Sequence, residues 1–334
     1  MSFSSQRSRL AALIIAASAL VVSACSGLPR LLPAQDNAPA KERTALVWES
    51  IDGGVVAGNL VTGLEYLRLM RPVAVAVRGP NVYIVDDGLN KLLLYNRDSG
   101  SFQVLKDLRK IVSGTVSDIY VSHDLSYYLA DFDGGRVLHF NPQGELVQVF
   151  EDAINLGRPV AVVVDEATGY VYIADGFNDD VLVYNRAGLL SGAIGERGNG
   201  PGQFRGITAF ALGPDGYYVA TRFGTARVQV MAEDGTFLKA FQKDTVIFPT
   251  SIVVDQRNRA YVGDYMTNTI HVYVDGVYVY SLGRSGSAPG QFKRIADLWL
   301  EEGFLYVADS LNGRIQVLRI TPENLQESRT PSVE

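Results

Sequence analysis

The chain has 334 residues, 47% of them apolar and 20% charged, with a formal charge of −6 and a single cysteine, Cys25. One cysteine excludes an internal disulfide framework and a multi-thiolate metal site. The acidic balance argues against nucleic acid as a partner, and the length leaves ample material for a large core.

Residues 1–9 carry Arg7 and Arg9 without an acid, and an uncharged, mostly apolar run from Leu10 to Val22 leads into Ser23, Ala24 and Cys25. This is the layout of a secretory signal peptide over residues 1–24. The run is too short to span a bilayer, which takes roughly 20 apolar residues. Val22-Ser23-Ala24-Cys25 resembles the lipobox of bacterial lipoproteins, in which small residues admit the peptidase and the thiol receives lipid. The resemblance implies acylation of Cys25 and anchoring to a membrane, because two or more acyl chains hold where one is marginal. Ser26 resembles an outer-membrane sorting signal, so the expected location is the bacterial cell envelope, at the outer membrane. Residues 25–44, rich in Pro, Ala and polar side chains, read as the lipidated cysteine and a flexible tether.

Between residues 45 and 320 a motif of Tyr, aliphatic, small and then usually Asp recurs, beginning at Tyr83, Tyr128, Tyr172, Tyr218, Tyr261 and Tyr306. The intervals are 43–46 residues, and a steady period of this kind marks a repeat architecture. In each unit an apolar run such as Val73–Val77 precedes the tyrosine strand. A turn rich in Asn, Gly and Asp follows, then an alternating strand such as Arg136–His139, and in most units a fourth run such as Leu146–Phe150. Four antiparallel strands per unit, six times over, predict an all-β, six-bladed β-propeller. The sixth unit lacks a fourth run, whereas an orphan strand-like segment, Leu46–Ile51, stands before the first. The expectation is that this N-terminal strand closes the ring as the outer strand of the sixth blade. Residues 321–334, with Pro322, Pro331 and several charges, read as a disordered tail.

Two segments, Gly195-x-x-Gly198-x-x-Pro201-Gly202-Gln203-Phe204 and Gly283-x-x-Gly286-x-x-Pro289-Gly290-Gln291-Phe292, resemble the inter-blade signature of NHL repeats. Tyr306–Val317 is close to that family's core motif. The resemblance covers roughly residues 45–320 and implies the propeller fold. It leaves function open, since propellers of this kind serve as protein-binding, RNA-binding and enzymatic scaffolds. The glycines are turn formers, because neither segment has the Gly-Lys-Ser/Thr ending of a phosphate loop.

Aligned on the repeat, Ala74, Asp118, Ala161, Ala209, Ser251 and Asp297 share one position on the innermost strands. Small residues suit it because six strands crowd around the axis. Asp118 and Asp297 break that rule and flank the blade of Ala74, which makes them candidate channel-binding residues. Their carboxylates would repel one another, and either accept strand N–H bonds or recruit a cation such as Ca2+. A second candidate set lies on the loops. Phe132, Phe177, Phe223 and Tyr265 come one or two residues after the anchor residue in four successive blades, with Arg222 beside them, as an aromatic face of the type that anchors interfaces. The recurring Asp86, Asp131, Asp175, Asp264 and Asp309 read as turn stabilisers, and the six tyrosines as inter-blade packing.

His123, His139 and His271 are the only histidines, and strand alternation sends the last two to opposite faces, which excludes a three-histidine zinc site. No catalytic residue is assigned, since no nucleophile elbow or His-Glu-x-x-His pair occurs. The functional expectation is a membrane-anchored, non-enzymatic scaffold that binds another envelope protein or an extracellular polymer. The alternative is a lyase- or lactonase-like enzyme using a cation in the central channel, as the resemblance to enzymatic propellers implies.

Overall fold

The apolar runs that open the repeats form the innermost strands of six sheets: Pro72–Arg78, Val116–Val121, Pro159–Asp165, Ile207–Gly213, Pro249–Val254 and Ile295–Glu301. The structure is a computed structural model that describes residues 42–43, 46–57, 64–241 and 245–320. Each inner strand pairs antiparallel with its tyrosine strand, and a third and fourth strand complete the blade outward. β-branched and aromatic side chains suit both faces of such a sheet, because the blades stack on one another. Six buried apolar clusters result, each drawn from two neighbouring blades. Tyr83 and Leu92 of the first blade meet Ile119 and Leu138 of the second, and Tyr261 and Ile270 of the fifth meet Leu298 and Leu318 of the sixth. All six anchor tyrosines are buried, as packing between blades requires.

The anchor aspartates fix the loops on one end of the ring, called here the loop face. The Asp175 carboxylate accepts from the backbone N–H of Gly157, Arg158 and Phe177 at 2.8 Å each, tying the loop before the inner strand to the turn after the tyrosine strand. Asp86 and Asp264 do the same with Met70 and Leu89 and with Ile247 and Met266, and Asp309 accepts from Lys293 N and from the side-chain amide of Asn312. Four residues beyond each of these aspartates, and of Asp131, the chain turns left-handed, at Asn90, Gly135, Asp179, Asn268 and Gly313, with φ between 54° and 63°. That conformation explains why Asn, Asp and Gly crowd this turn.

The fourth blade lacks an anchor aspartate, and Thr221 can only bond within its own turn, to Phe223 O at 3.0 Å and Ala226 O at 3.1 Å. The neighbouring blade supplies what is missing. Asp179 Oδ1 accepts from Gly206 N at 2.6 Å and Ile207 N at 3.2 Å, and its other oxygen meets Arg197 Nε at 2.9 Å. Asn268 accepts the equivalent cross-blade bond from Arg294 N at 2.6 Å, so the contact belongs to this turn position, and Asp179 extends it to Ile207 N; the repeat pattern, read one unit at a time, does not show it.

Closure follows the expectation. Val47–Ile51 lies antiparallel to Arg314–Arg319 as the outer strand of the sixth blade, with Ile51 opposite Ile315 and Val47 opposite Leu318. Glu49 on this strand reaches the first blade, accepting from Tyr95 Oη at 3.2 Å and Arg97 Nε at 3.0 Å, while Arg97 Nη1 donates to Tyr306 Oη at 2.7 Å. The closing strand is therefore bonded to both blades that it joins. An extra hairpin, Gly53–Ala57 with Leu64–Arg68, adds to the outer edge of the first blade and obeys no repeat. The backbone of Glu42–Arg43, at the end of the tether segment, pairs with Ser281 and Leu282 of the fifth blade. The expected signal peptide over residues 1–24, Cys25, and the expected tail over 321–334 lie outside the described residues. Among the described residues no helix is long and apolar enough to cross a membrane.

The two Pro-Gly-Gln-Phe segments do structural work. The Phe204 and Phe292 rings occupy the space that a Cβ on Gly195 or Gly283 would need, at 2.0 and 2.2 Å. Gln203 and Gln291 accept backbone N–H bonds from Gly200 and Ala288 inside their own turns, at 3.1 and 3.2 Å.

Candidate functional site

Ala74, Asp118, Ala161, Ala209, Ser251 and Asp297 stand in one register, each opposite the residue before the anchor and each just after an irregularity in pairing. The alignment of inner strands thus holds at single-residue precision. Asp118, Ala161, Ala209, Ser251 and Asp297 line an axial cavity of about 750 Å3. Ala74 does not, being wholly covered between the two blades that carry the aspartates.

Asp118 and Asp297 lie deep in the ring yet keep partial exposure to the cavity. Each bridges to the next blade. Asp118 accepts from Ile119 N on its own strand and from Val162 N on the third blade, both at 2.8 Å. Asp297 accepts from Val75 N on the first blade at 2.9 Å, and from Leu298 N and Ser251 Oγ at 2.8 Å. Burial holds the Asp118 carboxyl well above the usual carboxylate range, and repulsion by Asp297 pushes it further the same way. Asp297 is likewise raised by burial, against the opposing pull of its hydrogen bonds. The repulsion belongs to the pair, so a proton taken up by either carboxyl relieves the other. The donor set does not suit calcium. Every carboxylate oxygen already accepts a backbone N–H, the other wall positions at this level are Ala161, Ala209 and Ser251, whose hydroxyl is already donated to Asp297, and Ca2+ takes six to eight oxygens. Among the described residues no group of three His, Cys, Asp or Glu side chains converges on one point.

The histidines remain apart. His139 stacks on Tyr128, with centroids 4.1 Å apart, and burial lowers its pKa. His271 meets Ser281 Oγ at 2.9 Å, and exposed His123 pairs with Glu166 at 2.6 Å.

The two ends of the channel differ in charge. At the end where the inner strands finish, Arg78 pairs with Glu301 at 3.0 Å and Glu166 at 3.2 Å, its guanidinium 5.1 Å from the centre of the Trp299 ring and 5.7 Å from that of Tyr120. This cluster, one guanidinium against two carboxylates, draws on the first, second, third and sixth blades and leaves no positive charge unpaired at that end. At the loop face the cavity is lined by Arg222, Phe248, Tyr265 and Arg294. Arg222 lies 4.5 Å over Phe248, the Phe248 and Tyr265 rings are 5.5 Å apart, and Arg294 lies 5.7 Å over Tyr265.

Of the loop-face aromatics singled out from sequence, Phe177, Phe223 and Tyr265 are exposed, whereas Phe132 is half-buried beneath Arg158. Tyr265 and Arg222 belong to the channel mouth; Phe132, Phe177 and Phe223 lie outside the cavity lining. Phe248 and Arg294 were missed. Arg294 had a signal: it stands where the sister segment has glycine, Gln203-Phe204-Arg205-Gly206 against Gln291-Phe292-Lys293-Arg294.

Comparison with solved structures finds virginiamycin B lyase from Staphylococcus aureus (13% identity, TM-score 0.57, covering 76% of this chain and 98% of that one). It also finds a streptogramin B lyase (12%, 0.57, 82% and 97%) and a gluconolactonase from Xanthomonas campestris (14%, 0.58, 82% and 98%). At these identities the likeness is one of fold. No protein-family model matches the chain, and no curated protein matches it.

Proposed function

We propose that the protein is an exported lipoprotein, anchored through Cys25, whose ring takes a small molecule or the end of an extracellular polymer chain into its central channel. The observation that carries this reading is the axial cavity of about 750 Å3, with aliphatic walls and a few polar groups at its mouth and midpoint. Small-ligand sites have this size and make-up. The solved neighbours, lyases and a lactonase by name, support a small-molecule site over a macromolecular scaffold at the level of fold. A lyase- or lactonase-like reaction is the second reading, favoured by the raised carboxyls of Asp118 and Asp297, which hold a proton inside the cavity to a higher pH than an ordinary carboxylate does.

The test is a thermal-shift screen of envelope sugars, lactones and small organic acids against the mature protein and Ala209→Trp, which sets an indole in the channel. A ligand at about one hundred times its Kd adds about 2.7 kcal/mol, a rise of roughly 5–10 °C. The expected result is a compound that shifts the wild type and not the variant. A screen without such a compound, or a shift that survives the indole, overturns the channel reading. Consumption of the bound compound on incubation would move the protein from receptor to enzyme. The anchor is tested separately. Cys25→Ser should abolish palmitate labelling and release the protein from the membrane pellet; a variant that stays membrane-bound sinks that part.

A further inference from the structure

The arginines of the two channel ends are held differently. Arg78 is neutralised by Glu166 and Glu301. Arg222 and Arg294 are exposed, and among the described residues neither guanidinium has a carboxylate or hydrogen-bond partner; each rests on an aromatic ring. A guanidinium stacked on a ring keeps its N–H edge directed outward, in the fork that matches a carboxylate or phosphate. Two such groups at one cavity mouth, in a chain of net charge −6, form a local field opposite to that of the whole protein.

Arg294 also occupies a backbone position that disfavours a side chain. Its φ is 61°, and its N–H donates to Asn268 Oδ1 at 2.6 Å. In the sister segment the matching residue is Gly206, with φ 67° and the matching bond to Asp179 Oδ1, also at 2.6 Å. The turn is thus the same, and glycine is its unstrained occupant. A residue kept in a strained conformation at the rim of a cavity points to a use for its side chain.

We propose that the channel mouth is an anion site: Arg222 and Arg294 hold a carboxylate or phosphate group of the ligand, and Phe248 and Tyr265 receive the flat or apolar face of its body. This rests on the reading that a ligand enters the channel, and narrows it to a class. The neutral aromatic platform favours a ligand with a ring, aromatic or sugar, next to its charge.

The experiment is titration calorimetry of the mature protein with benzoate, phenyl phosphate and the neutral benzyl alcohol, at low salt and in 0.5 M NaCl. Binding of the two anions with at least tenfold preference over benzyl alcohol, weakened by salt, is expected. Arg222→Gln and Arg294→Gly should each reduce anion affinity tenfold or more, while Arg158→Gln, on the same face but outside the cavity lining, leaves it unchanged. Arg294→Gly copies the residue found at Gly206, so its fold is protected, and circular dichroism checks both variants. Equal binding of benzyl alcohol overturns the anion assignment while leaving a channel site standing. Anion binding undiminished in both variants overturns it as well, and so does no anion binding at all. The channel reading itself then stands or falls on the Ala209→Trp comparison.

Discussion

Removing residues 45–51 from the otherwise intact chain is expected to lower the melting temperature by about 10 °C. The strand contributes four paired positions to Arg314–Arg319 and buries Ile51 to 2% exposure among Val75, Ile84, Ile315 and Val317. Burial of one such side chain is worth about 1.5–3 kcal/mol. Loss of the Glu49 bonds to Tyr95 and Arg97 removes the link from the sixth blade to the first. Together these come to roughly 4–6 kcal/mol, and each kcal/mol moves the melting temperature of a domain this large by about 2 °C or more. Without the strand, the sixth sheet also exposes an unpaired edge, which favours association of opened rings. Ile51→Ala isolates the packing part and should cost about 2–5 kcal/mol. Differential scanning calorimetry reads both, and a deletion that melts where the full chain melts would show that the ring closes without this strand.

The closing strand was legible because a repeat makes an omission visible: a sixth unit with three strands needs a fourth, and Leu46–Ile51 was the unassigned candidate. The same logic placed the inner-strand positions in register, since each faces the residue before an anchor. Sequence failed where a demand was met from outside its own unit. Asp179 does for the fourth blade what Thr221 cannot, across a blade boundary. The extra hairpin at Gly53–Ala57 and Leu64–Arg68 belongs to no unit and had no template. The channel mouth was half visible. Arg222 stood out in the blade that departs from the repeat and Tyr265 in the recurring run of loop aromatics, but their partners Phe248 and Arg294 sit on loops before the inner strands. Only the ring brings those loops beside the turns that carry Arg222 and Tyr265, through backbone bonds such as Tyr265 N to Phe248 O at 2.9 Å.

Asp118 and Asp297 should show opposite faces of the same chemistry at two pH values. Asp297→Ala leaves Val75 N–H, at the seam between sixth and first blades, without its acceptor, and Asp118→Ala does so for Val162 N–H at the second–third seam. Bonds of backbone N–H to a carboxylate are worth about 1.5–3 kcal/mol, so each variant is expected to lose about 2–4 kcal/mol. Against this stands the repulsion within the pair. Each single variant escapes it once, so near pH 8 the double variant should cost more than the two singles together, by about 0.5–3 kcal/mol. Near pH 5, with a proton on the pair, the costs should add. The pH dependence has a fixed sign. Both native carboxyls are raised above the unfolded value of 3.8, so the native state binds the extra proton. That contribution to stability is complete below about pH 4 and falls as pH rises through the raised native titration. The double variant removes it, so its cost relative to wild type is larger at pH 5 than at pH 8. Urea unfolding of the four proteins at both pH values measures every quantity in this cycle. Additivity at pH 8 would mean that the two carboxylates do not interact across the channel. In that case the cavity's acid character comes from burial alone, and the proton at its midpoint belongs to each aspartate separately.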